Sequence, residues 1–550
     1  MTGFLSKLPA AVFYLWTHGT LRRVIYLVAA LVILVITGIH SMAVEKSRPG
    51  IDLSMNGSRA LYGMITATSN YGFGSPLHSF YKPIFDIFYT KGTHTWDEVN
   101  GLIDKAMALD PNTLTPNNLN RGFGELDSDD KGIILWHWAA FELFGPHVGS
   151  IYLFYFMLIA ISMVAFWLAH RRDEAAVMLL PLYALSHSAM AAYVLAGPTD
   201  TMGTLITSRP FAMLAALPAL HLALLIIRKT HFSRWLAAGA IYQIAFLLLV
   251  ITVRSSTKTQ LIFLLLVAGF MGLCWLRREV GSFKNLPQHL ISRDFIRRPL
   301  VWVMTFLLIG SVSLATFYVT AVPSDIRARS TTGHVFWHAM LAGFILDKEV
   351  LARELWQWGN HVEPLPEVPT NNDKLAYNAT MGFHIVKHNN NLMKATGGGP
   401  DNRDMKIYEA AARELFFYEL KRSPFDVAHL FIIRKSYELR DMARNVRNQL
   451  DNGPARSAAF VFGLMAGIVW LRSLKIVAPL MFVGLAIASV PAYVFAAGTH
   501  IMYDYAPYFY MCFLGISTTL GAITSLLVIY AARLVLGRKY ETLIQSFHRS

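Results

Sequence analysis

Residues 24–42 read VIYLVAALVILVITGIHSM, nineteen consecutive residues without a charged side chain, directly preceded by Arg22 and Arg23. As a helix this run reaches about 28 Å, close to the thickness of a bilayer's hydrocarbon core. A helix on a soluble protein needs an apolar stripe, not an apolar circumference. The predicted fold is therefore an all-α polytopic membrane protein. Composition agrees, with 54% hydrophobic and 15% charged residues in 550. Further apolar runs near 149–169, 175–197, 209–227, 235–253, 260–276, 300–320, 457–471, 476–497 and 508–534 bring the expected number of transmembrane helices to about ten.

Two long polar segments interrupt these runs, and they divide the chain into an amphipathic N-terminus at 1–23, a transmembrane module at 24–320 that contains a first loop at 43–148, a second large loop at 321–456, and C-terminal helices with a tail at 457–550. Lys7, Arg22 and Arg23, Arg171 and Arg172, Arg228, Lys229 and Arg234, the stretch from Arg277 to Arg298, Arg472 and Lys475, and Arg538 and Lys539 all fall on one side of the resulting topology. The positive-inside bias makes that side cytoplasmic, with both termini on it and both large loops extracytoplasmic. A bacterial inner membrane is favoured over the endoplasmic reticulum. The same bias accounts for much of the net charge of +14, so no nucleic-acid partner is implied and membrane lipids are the expected neighbours. Ser41-Met42-Ala43 resembles a cleavage site, but the apolar run exceeds a signal peptide's, and Phe4, Leu5, Leu8, Val12, Phe13 and Trp16 suggest an interfacial leader helix. Cys274 and Cys512 both lie in apolar runs, which excludes a loop disulfide framework and a Cys-type zinc site.

The first loop carries the densest chemistry: Glu125-Leu126-Asp127-Ser128-Asp129-Asp130-Lys131-Gly132, running into an apolar stretch that ends at Phe144-Gly145-Pro146. Four acids in six residues repel one another, so such a cluster is held by a cation, by a basic partner or by a reaction that uses a carboxylate. A divalent cation at Asp127, Asp129 and Asp130 is one expectation. The plain alternative is a solvated turn with Asp129 or Asp130 as N-cap. Trp136, Trp138, Phe141 and Phe144 suggest that the following helix lies at the membrane interface.

A long outer loop after the first span, an acidic motif within it, an apolar helix ending in Leu143-Phe144-Gly145 and a span ending in Arg171-Arg172 together resemble the C-type integral-membrane glycosyltransferase superfamily. That resemblance implies transfer of a sugar from a polyprenyl-phosphate carrier to a lipid, glycan or protein at the outer face. It also implies an aspartate shortly after the first span, as catalytic base or acceptor-positioning group, a few residues before a Tyr. The matching stretch is Met55-Asn56-Gly57-Ser58-Arg59-Ala60-Leu61-Tyr62, ahead of Gly72-Phe73-Gly74. At the aligned position stands Asn56, and an amide cannot serve as a general base. Either Asp52 substitutes, or Asp127, Asp129 or Asp130 supplies the carboxylate, or the chain is inactive in the usual reaction; Asp129 and Asp130 are favoured. Asn56 and Tyr62 stay as substrate contacts.

In the second loop, His334 and His338 lie four apart around Trp337, as do His384 and His388, so each pair shares a face of a helix. A zinc site wants two further ligands or a water-activating Glu, and no H-E-x-x-H pattern occurs. Packing, or contact of His334, Trp337 and His338 with a sugar or phosphate, is the expectation. From Met405 to Arg447 the loop reads as amphipathic helix, whose Arg413, Lys421, Arg422, Arg434 and Lys435 suit a carrier phosphate or lipid head groups. Two outer turns add Arg209, which either snorkels or holds a phosphate, and His500 with Tyr503, where the superfamily often contacts its donor. The two other readings are a lipid or glycolipid transporter and a catalytically inactive scaffold related to the enzymes. The spans' few charges and the lack of a repeat weigh against the transporter.

Overall fold

A computed structural model describes residues 19–47, 51–52, 80–81, 87, 93–109, 116–117, 131–196, 209–227, 234–280, 298–321, 336–364, 367–368, 372–389, 405–451, 455–461, 463–464, 483–484 and 502–536. Among the described residues the protein is all-α apart from two antiparallel pairs of two-residue strands, Ile51–Asp52 with Thr93–His94 and Phe80–Tyr81 with Pro116–Asn117. Five described helices are long and apolar enough to cross a membrane: Thr20–Ser47, Val148–His170, Trp235–Val253, Thr259–Arg278 and Pro299–Thr316. By length and composition they suit a multi-pass membrane protein. They coincide with five of the expected spans. Those expected at 175–197, 209–227 and 508–534 also fall in helices, while most of 457–471 and 476–497 lies outside the described residues.

The first helix, α1 (Gly19–Ser47), is organised inside out. Ala30, Leu34, Thr37, Ser41 and Glu45 face the other helices, whereas Val28, Val32, Val35, Ile36 and Ile39 point outward. Large apolar groups outward and small or polar groups inward is the arrangement of a helix whose solvent is lipid. Helix α2 (Trp96–Met107) lies in the first loop and starts with a capping box in which Thr95 and Glu98 satisfy each other's backbone N–H groups. It docks through Trp96, whose ring lies 5.4 Å from that of Tyr152, and through Asn100, whose Oδ1 accepts the Val148 N–H at 2.9 Å.

Helix α3 (Lys131–Phe144) corrects one expectation. It packs between α4 (Val148–His170) and α7 (Arg234–Val253) in the interior of the bundle; α5 (Leu179–Ala196) and α6 (Ala216–Ile227) come between them in the chain. Trp136 is fully buried, edge-on to Phe154 at 4.9 Å and to Phe211 at 4.7 Å. A Cβ on Gly132 would overlap Thr252, so α3 and α7 touch backbone to backbone there. Apolarity alone does not distinguish an interfacial helix from a core helix, and here Trp136 and Phe141 are buried in the bundle while Trp138 and Phe144 stay partly exposed.

Every residue of α6 from Ala216 to Ile226 is buried, and α4, α7, α8 (Thr259–Trp275) and α9 (Pro299–Ala321) pack around it. Being apolar on all faces, α6 has neighbours on all faces. At one end of the bundle Arg22 holds Glu174 at 2.6 Å and Arg23 donates to the Arg171 carbonyl at 2.7 Å, which brings together basic residues assigned to one side by charge alone.

The second loop forms a separate helical module with its own core: α10 (Phe336–Ala342), α11 (Leu351–Gly359), α12 (Asn372–His388), α13 (Met405–Arg422) and α14 (Pro424–His429). A π turn at Leu430–Arg434 leads into α15 (Lys435–Asp451), whose Met442, Val446 and Leu450 join the core of the bundle beside α16 (Met502–Leu536). Helices α11 and α12 cross so closely that a Cβ on Gly382 would overlap the Trp358 carbonyl.

Candidate functional site

Between α12 and α13 the module carries a groove of ≈ 520 Å³. Phe383 and Lys387 line it from α12; Ala410, Arg413, Glu414, Phe417, Tyr418 and Lys421 line it from α13. The α13 set recurs at three- and four-residue steps, one face of a helix, while Leu415 and Phe416 turn the other way into the core. Lys387 lies over the Tyr418 ring at 4.8 Å, and the Arg413 guanidinium sits 6.0 Å from the Trp337 ring and 5.9 Å from that of Phe417. Three cations in an open groove, Lys387 and Arg413 of them lying against aromatic rings, provide donors for an anion and flat surfaces for a ring. Glu414 is the single acid of the lining, and it accepts from His388 Nε2 at 2.9 Å. His384 stacks against His388 with ring centres 4.8 Å apart, and burial lowers its pKa below the usual histidine value.

Trp337 and His338 are held against α13, which fixes the start of α10. The Glu409 carboxylate accepts the backbone N–H groups of Trp337 at 3.1 Å and His338 at 3.0 Å, satisfying two of the donors that a helix start leaves open. Burial raises the pKa of Glu409, and those N–H groups oppose the shift. His338 is buried; its Nδ1 shares a 2.6 Å hydrogen bond with Tyr408 Oη, and its ring packs 4.2 Å from that of Tyr377. The side chain of His338 is thus committed to packing and positioning, and Trp337 is the member of the pair whose ring lies near a lining residue, Arg413.

Below the groove, Glu419 is fully buried and accepts the Trp358 indole N–H at 2.8 Å. Burial, reinforced by the neighbouring Glu354 carboxyl, pushes its pKa up to about 7, while Trp358 and Arg422 pull it down. Arg422 reaches Glu354 at 2.9 Å.

The remaining candidates are dispersed. Asp52 lies in a strand, its backbone in register with Thr93. Arg209 opens a 3₁₀ turn, Arg209–Ala215, leading into α6, and Tyr503 lies in the first turn of α16. Asn56, Tyr62, Asp127, Asp129, Asp130, His334 and His500 lie outside the described residues. The divalent cation expected at Asp127, Asp129 and Asp130 is withdrawn as a correction. A hard cation needs several converging oxygen ligands, and among the described residues no group of three or more His, Cys, Asp or Glu is arranged to hold a metal ion.

Sequence reading singled out Arg413 and Lys421 but missed Lys387, Phe417 and Tyr418. The spacing of 410, 413, 414, 417, 418 and 421 was the available signal on α13. No sequence signal pairs that face with Lys387. Comparison with known protein families, with curated proteins and with solved structures finds no match to this chain.

Proposed function

We propose that the protein is a membrane glycosyltransferase that moves a sugar from a polyprenyl-phosphate-linked donor to a lipid, glycan or protein acceptor at the extracytoplasmic face. The observation that supports this reading best is the cationic, aromatic groove held outside the candidate spans. Lys387, Arg413 and Lys421 suit a carrier phosphate, and Phe417 and Tyr418 offer faces for a sugar ring, with Trp337 near Arg413. In such a transfer a carboxylate takes the proton of the acceptor hydroxyl. The acceptor oxygen bonds to the anomeric carbon as the bond from that carbon to the phosphate oxygen breaks, and charge develops on the departing polyprenyl phosphate. Fixed cations stabilise that developing charge. Asp129 and Asp130 are the proposed bases, with Asp127 beside them and Asp52 as the alternative.

The test is turnover by purified protein with a polyprenyl-phosphate sugar and, separately, with a soluble nucleotide sugar. Product is expected only from the lipid-linked donor, since the chain has no Gly-rich dinucleotide-binding fingerprint. Asp129→Asn or Asp130→Asn is expected to lower turnover at least about a hundredfold with the folded yield unchanged, and Asp52→Asn to lower it less. Turnover of the nucleotide sugar alone overturns the donor assignment; loss with Asp52→Asn alone moves the base to the segment after α1.

One observation favours the transporter instead. Inside the bundle, Gln243 accepts from Ser162 Oγ at 2.8 Å, lies 3.2 Å from His221 Nδ1, and the His221 ring packs 5.1 Å from that of His170. Polar groups within spans often line a pathway. Movement of a labelled lipid-linked sugar between the leaflets of reconstituted vesicles, without product, supports that reading.

A further inference from the structure

The segment from Pro424 to Tyr437 carries an apolar stripe that the module leaves uncovered. Phe425 is 87% exposed, Ile432 66%, Tyr437 50% and Ile433 40%. The opposite side of the same ribbon is closed, with Val427 and Leu430 in the module's core. The steps from 425 to 428 and 432 are those of one helix face, and Ala428 is exposed between them. The π turn at Leu430–Arg434 adds a residue to that turn, and Ile432 and Ile433 both face outward. A contiguous exposed stripe of this kind marks an interaction surface.

We propose that this stripe rests in the head-group region of the bilayer, on the leaflet adjoining the module, and that anionic lipids are its partners. This holds whichever reaction the groove serves. Position is the first argument. The ribbon continues without a break into α15, whose Met442, Val446 and Leu450 pack in the same core as α16, so Tyr437 lies within about 8 Å, along the helix, of residues buried in the bundle. Charge is the second. Residues 421–456 hold eight Lys and Arg, of which Lys435 is buried, against four Asp and Glu, Arg434 and Arg440 are exposed beside the stripe, and the Arg440 guanidinium lies 4.8 Å from the Tyr437 ring. An apolar stripe flanked by cations, with a Tyr at its edge, matches the layering of acyl chains under anionic head groups. A second copy docking by the same stripe would set these basic flanks against each other, which like-charge repulsion opposes.

The experiment uses the full chain with Cys274→Ser and Cys512→Ser, reconstituted in phosphatidylcholine vesicles with and without phosphatidylglycerol. Nitroxide labels go on Phe425→Cys, Ile432→Cys and, as a control on an exposed polar position of α11, Arg353→Cys. Both stripe positions are exposed, so a label displaces no packed neighbour, and the two report independently. In vesicles containing phosphatidylglycerol, the ratio of oxygen accessibility to that of a water-soluble nickel chelate should be several-fold higher at 425 and 432 than at 353. It should fall toward the control when phosphatidylglycerol is omitted. Equal ratios at all three positions overturn the proposal. Dipolar broadening between identical labels assigns the stripe to a second copy and overturns it as well, and a high ratio indifferent to phosphatidylglycerol overturns the anionic-lipid assignment.

Discussion

Along α1 the outward positions are Val28, Val32, Val35, Ile36 and Ile39, whereas along α13 they include Arg413, Glu414, Lys421 and Arg422. Both helices bury one face against neighbours; they differ in what the other face meets. The bundle leaves large aliphatic groups on its outer surface and admits polar groups among its buried apolar ones, where Ser162, Gln243 and His221 satisfy one another. The module follows the soluble rule, with Leu, Phe and Ala inside and charges outside. The lesson is that the same helical periodicity is being read against two solvents. The stripe of Phe425 and Ile432 is where the module departs from its own rule, beside the bundle.

The comparison breaks most completely if one core is emptied while the other stands. Trp136→Ala removes a fully buried ring from the bundle and should cost about 3–5 kcal/mol, read as an earlier midpoint of denaturant unfolding in detergent, with the module's helices keeping their protection from hydrogen exchange. A uniform loss of protection across both regions would show that they are one cooperative unit. Gly382→Val attacks the other side. Its side chain has to displace the Trp358 carbonyl, and overpacking of this kind costs about 1–3 kcal/mol, so proteolysis within 336–430 should accelerate while the bundle helices stay protected.

Next in size are effects on ligand. Arg413→Gln should raise the KM for the lipid-linked donor about tenfold, equivalent to about 1.4 kcal/mol, with the folded yield unchanged. An unchanged KM would leave the groove without a role in donor binding.

The smallest effect concerns pH. Because the Glu419 pKa is raised from 4.5 to about 7, the folded protein keeps a proton there that the unfolded chain has already lost, and the stability this confers is complete below about pH 4.5 and lost as pH rises through 7. Glu419→Gln should therefore flatten the decline of the module's stability between pH 5 and pH 8. A decline of the same size in the variant would place the titrating group elsewhere.

Much of the architecture was legible because lipid imposes a strong pattern. Five of the expected spans are described helices of fitting length and apolarity, and Arg22, Arg23 and Arg171 meet at one end of the bundle. The helix at 131–144 was legible as a helix and misread as to place, since Trp136 and Phe141 fit an interface and a core equally well until Phe154 and Phe211 are seen around them. In the second loop Arg413 and Lys421 were legible on one face. Their partner Lys387, the Glu409 carboxylate that caps α10 and the Glu419–Trp358 contact join residues 26 to 72 positions apart in the chain.

By itself, the sequence determined that this chain is helical, that its apolar runs are as long as a bilayer is thick, and that its charges lie asymmetrically at the ends of those runs. These are properties of single segments, set by length and transfer free energy. Only the tertiary structure decided which apolar helix is surrounded on all sides, which is α6, and which face of α13 meets α12 to make a groove. Packing is a relation between segments, and α13 acquires its site only where α12 stands opposite it.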